Sequence, residues 1–250
     1  STVADNRSGQ WGGGLFLVRT DAALMDNTVS GNTAGSHGGG LTSMDSGVIL
    51  TGNAFTGNTA RVYGGGLLLL DSDVRITEST IWGNTAREQS GGGLSLWDTE
   101  ARLLGNIIAR NTAGRSGSGL SLHCTGSASV ERTVSKNGTD RADGLFVAGD
   151  LESTVSAGSP KIAHKTAVDG PGRSLGAPSG VTLVNNVIAD NEAIASGSGL
   201  YVDQCALRLS HTTIARNGGG DGSGIHLAGD GASPSVSLVN TILVSQSVGI

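Results

Sequence analysis

Three aspartates recur at one position of this sequence, Asp45, Asp71 and Asp98, separated by 26 and then 27 residues. If the chain folds back on itself with that period, their carboxylates stack about 5 Å apart, the spacing of neighbouring strands. Carboxylates at that distance can hold a calcium ion or share a proton. Calcium is thus the one cofactor the sequence suggests, with Asp45, Asp71 and Asp98 as its ligands. The competing reading is local. Each aspartate is followed by a hydroxyl residue (Ser46, Ser72, Thr99), a pairing that opens turns. No lysine or arginine interrupts the row; Arg19 precedes it and Cys124 follows it. No catalytic residue is assigned.

A second group is apolar and aromatic. Trp11, His37 and Tyr63 share one position of the same period. Just after them come Phe16, Val18, Met44, Leu68, Leu70 and Trp97, at places where strand alternation turns side chains outward. A contiguous exposed apolar surface marks an interface. These nine residues are therefore the candidate binding or self-association face, for a protein or a glycan. Trp11, Tyr63 and Trp97 would suit sugar rings. The alternative is that another segment covers this surface. The five histidines occupy five different positions of the repeat. His123 and His226 read as four coils apart, and no Ser/His/Asp set emerges. A phosphate-binding reading of the glycine runs fails, because neither Lys-Ser/Thr nor a helix follows them.

The period that places these residues is carried by Gly-Gly-Gly-Leu, ending at Leu15, Leu41, Leu67 and Leu94. Weaker copies end at Leu120, Leu145, Leu175, Leu200 and Ile225. Asparagines keep the same beat at Asn6, Asn32, Asn58, Asn84, Asn111, Asn137, Asn191 and Asn217, with His164 on the remaining rung. Asn27, Asn53, Asn106, Asn186 and Asn240 mark a second, partial row five residues earlier. A fixed period of this size signals a solenoid. Within each period short runs alternate with period two, as in Leu67-Leu-Leu69 and Val74-Arg-Ile76, and no run is long enough for a helix. Each coil reads as three short strands and three turns, giving three parallel sheets around an aliphatic core. Leu15, Leu17, Leu41, Val48, Leu50, Phe55, Leu67, Leu69, Ile76, Ile81, Leu94 and Leu96 are the expected inward set. Asparagine amides stacked on successive coils can pass hydrogen bonds along the rod.

Composition sets further bounds. The 42 glycines in 250 residues are periodic, so they are architectural and do not signal disorder. A net charge of −5 argues against a nucleic-acid partner. No apolar run is long enough to span a membrane. Residues 1–250 read as one β-helix domain of about nine coils of 25–27 residues, expected to be a piece of a longer solenoid. Residues 157–180 hold three of the four prolines and read as an irregular loop excursion. On this count Cys124 and Cys205 lie three coils, roughly 14 Å, apart. Two free thiols are therefore expected, because a disulfide needs closer Cα atoms.

The motif pair, apolar-x-x-Asn followed by Gly-Gly-x-Leu, resembles the repeats of chlamydial-type polymorphic outer membrane proteins, FxxN and GGA(I/L/V). Phe55-Thr-Gly-Asn58 matches the first. Val29, Ile81, Ile108, Ile188 and Ile214 replace its Phe in the copies ending at Asn32, Asn84, Asn111, Asn191 and Asn217. Gly39-Gly-Leu41, Gly65-Gly-Leu67 and Gly92-Gly-Leu94 approach the second, with Gly in place of Ala. The resemblance implies an all-β, right-handed parallel β-helix of pectin-lyase-like type, in a secreted or bacterial cell-surface adhesin. The general rule for parallel crossovers gives the same hand. The expected role is structural and adhesive, not enzymatic. The runner-up is a polysaccharide-binding or polysaccharide-cleaving protein on the same scaffold, with Asp45, Asp71 and Asp98 as its acidic cluster.

Overall fold

The computed structural model describes residues 1–125, 180–229, 234–244 and 246, together with the short strands Arg132–Thr133, Phe146–Val147 and Ser174–Leu175. Two units make up the chain. Ser1–Thr125 and Gly180–Ile250 form the solenoid; Gly126–Ser179 forms a second unit. In the second unit, Arg132–Thr133 pairs antiparallel with both Phe146–Val147 and Ser174–Leu175.

The solenoid is an all-parallel stack of about seven coils. Each of the first six coils contributes to four sheets, one more than the sequence suggested. Taking coil three as the pattern, the first sheet receives Ala54–Thr56, the second Thr59–Ala60, the third Leu67–Leu70 and the fourth Asp73–Thr77. The extra sheet is built of two-residue strands such as Thr33–Ala34 and Thr85–Ala86. Two residues are too few to show an alternation, so Asn-Thr-Ala reads as a turn.

Register holds through the stack. Leu67 pairs with Leu41 on one side and Leu94 on the other. Leu94 pairs with Leu120, and Leu120 pairs directly with Leu200. Likewise Leu103 pairs with Leu183 and Ile108 with Ile188. The coil count of nine is therefore corrected to about seven: Gly126–Ser179 supplies no rung to the described stack. The rungs read at Asn137, Leu145 and His164 lie outside the described residues, as does most of the 157–180 excursion; Leu175 pairs with Arg132 in the second unit.

The core is the expected one. Leu41, Val48, Leu50, Phe55, Leu67, Leu69, Ile76, Ile81, Leu94 and Leu96 are all buried. Leu15 and Leu17, in the first coil, are half-buried and pack against the same cluster. Apolar rungs stack in rows, most uniformly Leu41, Leu67, Leu94, Leu120 and Leu200, each losing nearly all its apolar surface to water-free contact.

Two rows of asparagine seal the corners. Asn32 donates from both its backbone N and its Nδ2 to Asn58 Oδ1, each at 3.0 Å. Asn58 repeats this onto Asn84 Oδ1, and its Nδ2 also donates to Val29 O at 2.8 Å. Asn106 makes the same pair of bonds to Asn186 across a sequence gap of 80 residues, which fixes coil five against coil six. The glycine triplet serves these rows. Gly64 takes φ +66, which favours glycine. A Cβ on Gly66 would lie 2.5 Å from Gly93 O and 3.1 Å from the Asn84 amide.

Coils five and six are also joined covalently. Cys124 and Cys205 form a disulfide with Cα atoms 5.3 Å apart. This overturns the expected free thiols. The error follows from the coil count: with Gly126–Ser179 outside the stack, the two cysteines sit on adjacent coils.

Candidate functional site

The aromatic side chains converge into one ladder along the outside of the third sheet. Trp11 stacks on His37 with ring centroids 4.3 Å apart, and His37 stacks on Tyr63 at 5.7 Å. Tyr63 meets Trp97 edge-on at 5.1 Å, and Trp97 stacks on His123 at 4.4 Å. His123 then meets Tyr201, and Tyr201 stacks on His226 at 5.4 Å. Phe16 joins at the first coil, 6.5 Å from Trp11. Stacked and edge-on pairs at these distances add stability beyond area burial alone.

This ladder decides the fate of the predicted face. Leu68 points outward as expected yet is only 1% exposed; so are its row-mates Thr42, Ser95 and Ser121 buried. The ladder side chains roof that row. Thr42 Oγ1 donates to His37 O, and Trp97 Nε1 donates to Ser95 Oγ. Met44, Leu70 and Trp97 are half-buried, as are Trp11, His37 and Tyr63. Phe16, at 49%, and Val18 stay exposed. The cover comes from neighbouring coils of the same chain. The faces stacked between Trp11 and His37, and between Trp97 and His123, are spent on one another and closed to a sugar.

A further exposed apolar cluster lies at the corner between the fourth and first sheets. Leu104 pairs with Val184, and Ile107 pairs with Val187 on the same two coils. Ile107 is 44% exposed; Leu104 and Val187 are similarly open. Trp82 lies one coil away, with the Arg110 guanidinium 4.8 Å above its ring. Sequence alternation alone misses this cluster, because it spans a strand end and the strand after the turn.

The aspartate row is a row of turns. Asp45, Asp71 and Asp98 all take left-handed φ, at 50, 46 and 45°, as Arg19 and Gln204 do at the same corner. Aspartate tolerates that region better than most residues. Asp98 Oδ1 accepts from Thr125 N at 2.8 Å, and Asp45 lies 3.9 Å from the exposed Arg19 guanidinium. Among the described residues no three His, Cys, Asp or Glu side chains come together as a metal ion would need.

One constellation of catalytic type escaped the sequence. Ser121 Oγ lies 2.7 Å from His123 Nε2, and His123 Nδ1 lies 3.6 Å from Asp203 Oδ2. Asp203 is 80 positions downstream of His123, so only the true stacking of coil six on coil five brings it near. His123 and His226 are accordingly two coils apart, not four. Ser121 is fully buried under the ladder, where no substrate can reach it. Burial pushes the His123 imidazole below its usual value; the Asp203 carboxylate opposes this and does not prevail. The set holds two rungs together. Burial, and then the Arg61 charge, likewise pushes His37 down.

The parallel stack and its ladders have a counterpart among known families: the family model described as "Right handed beta helix region" matches residues 1–157. The chain belongs to the right-handed β-helix family. Comparison with curated proteins and with solved structures gives no match. In the described residues of this β-helix, no helix is long and apolar enough to cross a membrane.

Proposed function

We propose that this β-helix is a structural, adhesive rod, displayed outside the cell, that assembles side by side through its exposed apolar corner. The observation that carries this reading is the cluster on two adjacent coils of Leu104, Ile107 and Val187, which are exposed, beside the half-buried Val184. A surface that runs along the axis can meet its own copy about a two-fold, the usual symmetry of a homodimer. Exposed contiguous apolar surface of this kind marks interfaces.

Two features support the rest. The polar side chains an enzyme would aim into a cleft are used here between coils: the asparagines in amide rows, and Ser121, His123 and Asp203 under the rings. The Cys124–Cys205 disulfide suits an oxidising, extracellular location. The likeness of the Asn and Gly-Gly-x-Leu motifs to polymorphic outer membrane protein repeats points the same way.

The test of the non-enzymatic part is turnover. Incubated with neutral, carboxylated and sulfated polysaccharides, the chain is expected to release neither reducing ends nor unsaturated products. Depolymerisation of any of them, abolished by Ser121→Ala or by Asp71→Asn, would restore the enzyme reading.

A further inference from the structure

A shallow groove of about 290 Å³ runs across the second sheet, and its lining is basic. Arg7 stands at one end, Arg61 and Arg87 at the other, with Thr33 and Thr59 on the floor between them. The sequence accounts for this shape. One row of the repeat reads Gly9, Gly35, Arg61, Arg87, with each backbone N after the short strand bonded one coil back, as Arg61 N is to Ala34 O. Two rungs without side chains are followed by two with long cationic ones, so a depression forms and arginines overhang it. The adjacent row is Arg7, Thr33, Thr59, in parallel register.

Charge and hydrogen bonding in this groove are incompletely used within the chain. Glu88 reaches Arg61 at 3.7 Å, but both side chains are largely exposed, and such a pair binds weakly. Among the described residues neither Arg7 nor Arg87 has a carboxylate partner. Three guanidinium forks and two threonine hydroxyls together form a donor-rich surface that fits planar or tetrahedral oxyanions. The groups come from four successive coils, about 4.8 Å apart. An anion bound singly would need only one of them. The array fits a polymer that carries its charges along its length.

We infer that this groove is a binding site for an anionic glycan, held through its carboxylate or sulfate groups by Arg7, Arg61 and Arg87. A nucleic acid is the poorer fit. The chain carries a net charge of −5, and the rings nearest the groove, Trp11, His37 and Tyr63, are stacked on one another and not set apart to take bases between them. The inference rests on the reading of the rod as a surface that presents a ligand. It does not rest on self-association, because the groove and the Leu104 corner lie on different sheets.

The experiment is surface plasmon resonance of the immobilised full chain against polygalacturonate, dextran sulfate, neutral dextran and a duplex DNA. Binding of polygalacturonate or dextran sulfate is expected, weaker with added salt, with the preferred polymer telling carboxylate from sulfate. Arg61→Ala/Arg87→Ala should weaken it by about tenfold or more, the scale of a lost charge-assisted hydrogen bond. Arg102→Ala/Arg208→Ala, on the outer row of the fourth sheet, should leave it within about twofold, the scale of a screened surface charge. These side chains are exposed, so unchanged melting of all variants is the check on folding. Equal weakening by both pairs would mean general charge attraction and overturn the site. So would an absence of binding, binding of neutral dextran that survives both pairs, or tighter binding of DNA.

Discussion

Asn84 shows what a single residue does in this fold. Its Oδ1 accepts from Asn58 N at 2.9 Å and Asn58 Nδ2 at 3.0 Å, while its Nδ2 donates to Phe55 O at 2.9 Å. Asn84→Ala leaves those buried groups without partners, each worth about 1–3 kcal/mol when stranded. We expect a loss of about 3 kcal/mol or more, read from the urea midpoint. The histidines predict a pH dependence. His37 and His123 are held below their ordinary value of 6.5 by burial, so the unfolded chain takes up protons that the fold refuses. Stability from this source is complete above the unfolded value and declines as pH falls through it toward the folded one. Thermal melts should therefore drop between pH 7 and the lower folded values, and His123→Phe should shallow the drop. Asp203 and Asp98 face that ring and temper the effect. At the aspartate row, turn geometry accounts for the residue type, so calcium or a chelator should leave the melting temperature unchanged. A rise with calcium that Asp71→Asn abolishes would reinstate a metal site.

Between elements, the informative joint is the one between coils five and six. The chain leaves the stack after Thr125 and re-enters at Gly180, and the Cys124–Cys205 disulfide lies at that exit. Thiol titration of the denatured, unreduced chain should find no free thiol; two would contradict the stacking. Removing the bridge with Cys124→Ala/Cys205→Ala frees a long loop in the unfolded state, and by chain entropy it should cost about 3–5 kcal/mol. The third sheet and its ladder show which packing the sequence hides. Leu41, Leu67 and Leu94 repeat in type and position, so their inward stacking can be read directly. The ladder draws its rings from three different rows, at Trp11 to Tyr63, Trp97 to His123, and Tyr201 to His226. No single row looks continuous, and burial of Leu68 follows only from their convergence. The two-residue strands of the second sheet were hidden for a simpler reason, their length.

At the scale of the whole molecule, parallel stacking with buried aliphatics and amide rows was legible from the period alone. The number of coils was not. A segment of 54 residues, Gly126–Ser179, carries enough Gly, Leu and Asn to mimic the beat, and local pattern cannot show that Leu120 neighbours Leu200. That one misplacement also produced the free thiols and hid Asp203 from His123. The surface followed suit. Alternation correctly turned Phe16, Val18, Leu68 and Trp97 outward, yet it could not say which outward side chains other coils would cover. Those left open, at Leu104, Ile107 and Val187, carry the account of a rod that associates laterally. Its most direct test is solution mass by light scattering over a range of concentrations, for the full chain and for Leu104→Ser/Ile107→Ser. The account predicts a mass that rises above the 24.9 kDa monomer with concentration, and a variant that stays monomeric with unchanged melting. A parent chain that remains monomeric throughout, or a variant that associates equally well, would contradict it.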